Sequence, residues 1–108
     1  MLGRAGPTHS ERRVRKFRQI VHTVKSWPQF FEPMLSGVKT HDVRRVTDRN
    51  YQAGDLLRLQ EFDPQSESFT GRELLVRITY VTSSEYPCAL SEQALNPNYC
   101  ILSVTKDV

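Results

Sequence analysis

Gly37-Val38-Lys39-Thr40-His41-Asp42-Val43-Arg44-Arg45 is the stretch on which the reading of this chain turns. Upstream, Pro28-Gln29-Phe30-Phe31-Glu32-Pro33-Met34-Leu35 has the spacing of a short amphipathic helix, and Gly37 stands where a left-handed C-terminal stop is needed. A strand is expected next. Side chains two apart on a strand share a face, so Asp42 and Arg44 sit side by side while Val43 turns inward. Lys39, at the helix-to-strand corner, reaches the same mouth. An ammonium, a carboxylate and a guanidinium gathered at a helix end can hold a phosphate, a base edge or a polarised carbonyl. The plainer alternative is a solvated strand end carrying an ordinary surface ion pair, which contributes little.

Working upstream, Arg18 to Lys25 alternates as a first strand, with Ile20, His22 and Val24 on one face and Val21 and Thr23 on the other. His22 among apolar neighbours reads as a packed, hydrogen-bonded histidine. Ser26 and Gln29 have the spacing of a capping box, and Pro28 is tolerated in the first helical turn. Trp27, Phe30, Phe31, Met34 and Leu35 form the apolar stripe that the helix is expected to bury. Pro33 conflicts with a clean helix and predicts a kink or two short turns.

Working downstream, Gly54-Asp55 marks a tight turn into a strand over Leu56 to Phe62, with Leu57 and Leu59 inside and Arg58 and Gln60 outside. Residues 63–68 form a turn-rich hairpin loop. Glu73 to Val81 carries Leu74, Val76, Ile78 and Tyr80 on one side and Leu75, Arg77, Thr79 and Val81 on the other, a pattern that predicts a central strand. Ala89 to Leu95 has room for one or two helical turns, and Tyr99 to Val104 is the last strand. Five or so short strands with one or two short helices give an α+β domain built on a small mixed barrel or curved sheet.

The 108 residues support one domain with one modest core. The formal net charge of +3 is unevenly spread. The first 18 residues hold six bases against one acid, and the remainder holds nine bases against eleven acids. Residues 1–17 are therefore read as a poorly ordered basic arm and residues 18–108 as the domain. Through Arg12, Arg13, Arg15, Lys16 and Arg18 the arm can add salt-sensitive, sequence-independent attraction to nucleic acid; a merely solubilising leader is the alternative. Cys88 and Cys100 have no companions at metal-ligand spacing, so neither a zinc site nor a disulfide scaffold is expected, and no cofactor is implied. With no signal peptide and no long apolar run, a soluble cytoplasmic protein that does not engage a membrane is expected.

Gly37-x-Lys39-x-x-Asp42-x-Arg44 resembles the G-x-K-x-x-E-x-R signature of the ASCH domains, members of the PUA-like superfamily, with Asp in place of the usual Glu. The likeness continues through Trp27-Pro28-x-Phe30-Phe31, Asp48-Arg49-Asn50-Tyr51-Gln52-x-Gly54-Asp55, Leu59 to Pro64, Phe69 to Glu73, Val76 to Val81 and Asn98 to Ser103. It spans roughly Val21 to Val104 and is nearest to a short branch found in bacteria and their phages. The resemblance implies a PUA-like barrel and a cleft that receives RNA or a modified nucleoside or nucleotide. Lys39, Asp42, Arg44, Arg45 and Arg49 are then the candidate ligand contacts, with Tyr51, or Trp27 behind it, as a stacking surface.

An enzymatic alternative comes from a bacterial ASCH branch that hydrolyses the acetyl amide of N4-acetylcytidine with a Lys, a Thr three residues later and a distant Glu. Lys39 matches the first of these. Asp42 occupies the place of the Thr, Thr40 is off register, and Glu85 and Glu92 are unaligned candidates for the acid. Lys39 and Asp42 can polarise a carbonyl and activate water, provided burial or neighbouring positive charge frees the lysine's lone pair. A protein-interaction module is the remaining alternative, and the oligomeric state is left open.

Overall fold

The computed structural model describes residues 19–108; the basic arm with Arg12, Arg13, Arg15, Lys16 and Arg18 lies outside the described residues. The elements run β1 (Val21–Ser26), α1 (Pro28–Ser36), β2 (His41–Arg45), β3 (Leu56–Asp63), β4 (Ser68–Thr82), α2 (Ser91–Ala94) and β5 (Tyr99–Thr105). One five-stranded sheet, in the order β1-β3-β4-β5-β2, curls into a half-barrel, so the fold is α+β as the pattern implied. β1 runs parallel to β3, and every other pairing is antiparallel. The helix between β1 and β2 supplies the crossover that a parallel neighbour requires.

The core fills the concave side. Phe31 from α1, Leu57 and Leu59 from β3, Val76 and Ile78 from β4 and Leu102 from β5 are all at most 1% exposed. β4 is central, as its two apolar sides predicted, but it is longer than expected, reaching back to Ser68. A register shift between Ile78 and Tyr80 changes its facing: Tyr80 turns out, 38% exposed, and Val81 packs against the core. Strict alternation cannot foresee that, because one extra residue inverts the sides beyond it.

α1 ends as read. Gly37 adopts φ 89°, and its N–H donates to the carbonyls of Pro33 and Met34 at 3.1 Å. Of the other expectations for this region, one is narrowed and two are corrected. Of the kink or two short turns expected at Pro33, the two turns do not form, because one helix runs through Pro33. The hydrogen bond forfeited there is the one to the carbonyl of Gln29, an exposed residue whose oxygen water can serve. No capping box forms, since Ser26 is held as the last residue of β1 opposite Glu61 and Trp27 becomes the N-cap, without a side-chain bond. Trp27 and Phe30 do not join the core. They are 46% and 48% exposed and stack on each other with centroids 6.1 Å apart, because so short a helix can turn only the Phe31 and Met34 side to the sheet.

A buried acid ties α1 to the sheet. Glu61 of β3, 3% exposed, accepts from Thr70 Oγ1 at 2.6 Å and from Arg72 Nε and Nη2 at 2.8 and 2.9 Å. Arg72 reaches on to Glu32 of α1, and its guanidinium carbon lies 5.2 Å from the Phe31 ring centroid. The guanidinium and the Thr70 hydroxyl hold the Glu61 carboxyl down to about 2. Such a carboxylate is tolerable inside only because its oxygens are satisfied.

Candidate cleft at the barrel seam

The two edge strands, β1 and β2, are not paired with each other, yet curling brings them close. Two arginines lace this seam. Arg44 donates through Nη2 to the backbone carbonyl of Lys25 at 2.8 Å and through Nε to Asp42 Oδ2 at 2.8 Å. Arg49, from the segment after β2, donates through Nη2 to the carbonyl of Thr23 at 2.9 Å. Each bond crosses from the β2 side to a β1 carbonyl that has no strand neighbour on that edge.

Pairing with β5 decides which way β2 faces. Asp42 and Arg44 lie opposite Leu102 and Cys100, both buried, so these two charged side chains point to the concave side and are only 15% and 21% exposed. Val43, expected to turn inward, is 51% exposed. The expectation was inverted because an apolar residue on an edge strand was assigned to the core, whereas the seam needs the arginine there.

Beside the laced arginines is an open cleft of about 560 Å³, lined by Thr23, Lys25, Arg44, Asp48, Arg49, Tyr51 and Phe69 among others. Three cations face Asp48 in the lining, and Arg44 is in addition paired with Asp42 outside it, so a small positive excess carried by Lys25 and Arg49 remains, although residues 19–108 as a whole carry more acids than bases. Phe69 is 51% exposed and meets Phe62 edge-on at 5.1 Å, while Lys25 Nζ stands 4.2 Å above the Phe62 ring. The cleft thus combines positive charge with an exposed aromatic face, the two features that hold a single strand of nucleic acid.

Tyr51 closes the cleft from inside. It is 7% exposed, and its ring is tilted against His22 at 4.8 Å. His22 Nε2 lies 2.8 Å from the fully buried Asp55 carboxylate, which also accepts the Gln52 N–H at 3.1 Å. This network holds the 51–55 turn and matches the packed role expected of His22. The Tyr51 hydroxyl is buried and makes no hydrogen bond of normal geometry among the described residues, although Arg49 is near it. Burial pushes its ionisation up, and the charges of Arg44 and Arg49 work against that rise. A buried donor left unmade costs about 1–3 kcal/mol.

The remaining sequence candidates are distributed over other places. Lys39 and Thr40 line a cleft of about 210 Å³ with Met34, Gly37 and Lys106, where Lys39 Nζ lies 5.2 Å from the Phe30 ring centroid. Asp42 is held by Arg44 and lines none of these clefts. Arg45 is on the outer face, 5.4 Å from the ring centroid of Tyr99. Glu85 lines a third cleft of about 220 Å³, which shares Arg49 and Tyr51 with the seam cleft, and Glu92 is exposed on α2. Lys25, Asp48 and Phe69 were not singled out from the sequence. The available signal was Phe69 itself, a large aromatic at a hairpin strand start amid polar neighbours. Among the described residues no cluster of three or more His, Cys, Asp or Glu is placed to hold a metal ion, and no helix is long and apolar enough to cross a membrane.

Comparison with known proteins adds two findings. The family model described as "Domain of unknown function (DUF3850)" matches residues 21–104. A protein of Escherichia phage P2, named "Uncharacterized 12.9 kDa protein in GpA 3'region", is 42% identical over 62 residues, covering 57% of this chain and 54% of that one. The chain thus aligns with about half the length of this curated relative.

Proposed function

This chain belongs to the DUF3850 family, and for it we propose a single-stranded RNA- or nucleotide-binding role centred on the seam cleft. One observation carries the reading: Lys25, Arg44 and Arg49 concentrate positive charge beside the exposed ring of Phe69, on a domain with no such excess overall. Guanidiniums and the ammonium meet phosphate oxygens, and the ring offers a face to one base. The cations of the N-terminal arm add a sequence-independent attraction that salt screens. The ASCH-like signature is a further support, since its Arg44 is one wall of the cleft. Cys88 and Cys100 are both free thiols, which accords with a cytoplasmic setting.

The amide-hydrolase alternative needs Lys39 and a carboxylate at one reacting carbonyl. The Lys39 cleft is lined by Thr40 and by a second ammonium, Lys106, with no carboxylate among its lining residues. A protein-contact role would draw instead on the exposed stack of Trp27 and Phe30, which lines neither cleft that contains Tyr51.

Fluorescence anisotropy with a labelled oligoribonucleotide tests the proposal. Lys25→Ala and Arg49→Ala should each weaken binding by roughly fivefold or more and lower the salt slope by about 0.7 per lost phosphate contact. Unchanged affinity in both variants would remove the seam cleft as the site.

A further inference from the structure

The cleft between the Val46–Ala53 segment and the Val81–Tyr86 turn shares only Arg49 with the phosphate contacts above. It lies past the C-terminal end of β2, whereas Lys39 precedes its start. Its volume of about 220 Å³ is below the roughly 300–1,000 Å³ of sites that enclose a drug-sized ligand, so it suits one planar ring system. Arg49 and Tyr51 belong to both this cleft and the seam cleft, so the two are adjoining chambers with a common wall.

Two observations point to an occupant. The Tyr51 side chain is more than nine-tenths buried in that wall, and its hydroxyl has no hydrogen-bond partner among the described residues. The side-chain amides of Asn50, which is exposed, and of Gln52, which is half-buried, line the cleft without a hydrogen bond among the described residues, so both are open to a ligand in place of water. Each amide offers a carbonyl acceptor beside an NH₂ donor, the pairing that reads the edge of a nucleobase.

Resting on the nucleic-acid reading, we propose that this cleft is a base-reading pocket: one nucleotide of a strand held in the seam cleft places its base between Asn50, Gln52 and Tyr86 while its phosphate stays on Arg49. The shared wall sets the geometry. A nucleotide whose base lies on one side of Arg49 has its phosphate within reach of the cations on the other. Single-stranded RNA fits this arrangement because an unstacked base can turn away from its neighbours.

The test uses the whole chain and labelled RNA homopolymers of about eight nucleotides, each compared with a strand carrying one central abasic position. Ser84→Trp, at an exposed position on the rim, fills the pocket and leaves the seam untouched. The wild type should prefer one homopolymer by about tenfold and bind its abasic counterpart about tenfold more weakly. Ser84→Trp should bring all strands to the abasic level with the salt slope unchanged. Equal affinity for base-bearing and abasic strands, unaffected by Ser84→Trp, overturns the pocket and leaves the seam cleft standing. No binding of any strand even at low salt overturns the reading beneath both.

Discussion

Replacing Arg44 with alanine should destabilise the domain more than its position on a five-residue edge strand suggests. The guanidinium donates to the Lys25 carbonyl and to Asp42, both at 2.8 Å, with the two side chains only 21% and 15% exposed. The bond to the Lys25 carbonyl is open to water and contributes about 0.5–1 kcal/mol, and the part-buried ion pair with Asp42 adds about 1 kcal/mol. Together these give a loss of about 1.5–2 kcal/mol, or roughly 10 °C in Tm for a domain of this size. Urea unfolding of the whole chain, followed by circular dichroism, measures it directly. Arg49→Ala supplies the internal comparison: its single bond to the Thr23 carbonyl is exposed, so its cost should remain under about 1 kcal/mol. A change below about 0.5 kcal/mol for Arg44→Ala would refute the claim that this side chain holds the seam. It also follows that Arg44→Ala is a poor probe of ligand binding, since it removes a structural clasp along with a cation.

Three other outcomes are expected. Glu61, held near pKa about 2 against an ordinary 4.5, contributes stability that is complete above about pH 5 and is lost as pH falls toward 2. Arg72→Met removes the main cause of that depression, so the acid-unfolding midpoint should rise by roughly one pH unit; an unmoved midpoint would show that the pair contributes nothing. Tyr51→Phe deletes an unpartnered buried hydroxyl and should leave stability equal or raise it by up to about 1 kcal/mol, whereas a loss above that would mean the hydroxyl has a partner in the folded protein. Removing residues 1–17 should flatten the salt dependence of RNA binding and leave its base preference in place; loss of the preference would locate recognition in the arm.

Much of the architecture was legible because it is local. Gly37 as a left-handed stop, the alternation that buries His22 and Val24, and the double-sided apolar run of β4 are decided within a few residues of chain. What escaped is set by register. Val43 was turned the wrong way because only the pairing of Asp42 with Leu102 and Arg44 with Cys100 settles the facing of β2. Tyr80 moved to the outer side through a one-residue register shift. Arg44, Arg49 and Tyr51 were recognised as a group, but the carbonyls that engage the two arginines are 19 and 26 residues away and have no periodic signature. Lys25 and Phe69 enter the cleft only because β1 and β4 flank β3, a neighbourhood that no spacing within either strand encodes.

Every binding outcome above requires that ligand enter at the seam. Titrating ¹⁵N-labelled whole chain with a short oligoribonucleotide and following amide shifts maps the point of entry. The expected result is a contiguous set of perturbed amides over Thr23 to Lys25, Arg44, Asp48 to Tyr51 and Phe69, saturating with one Kd. Shifts gathered instead around Trp27, Phe30 and Lys39, with the seam amides still, would contradict it.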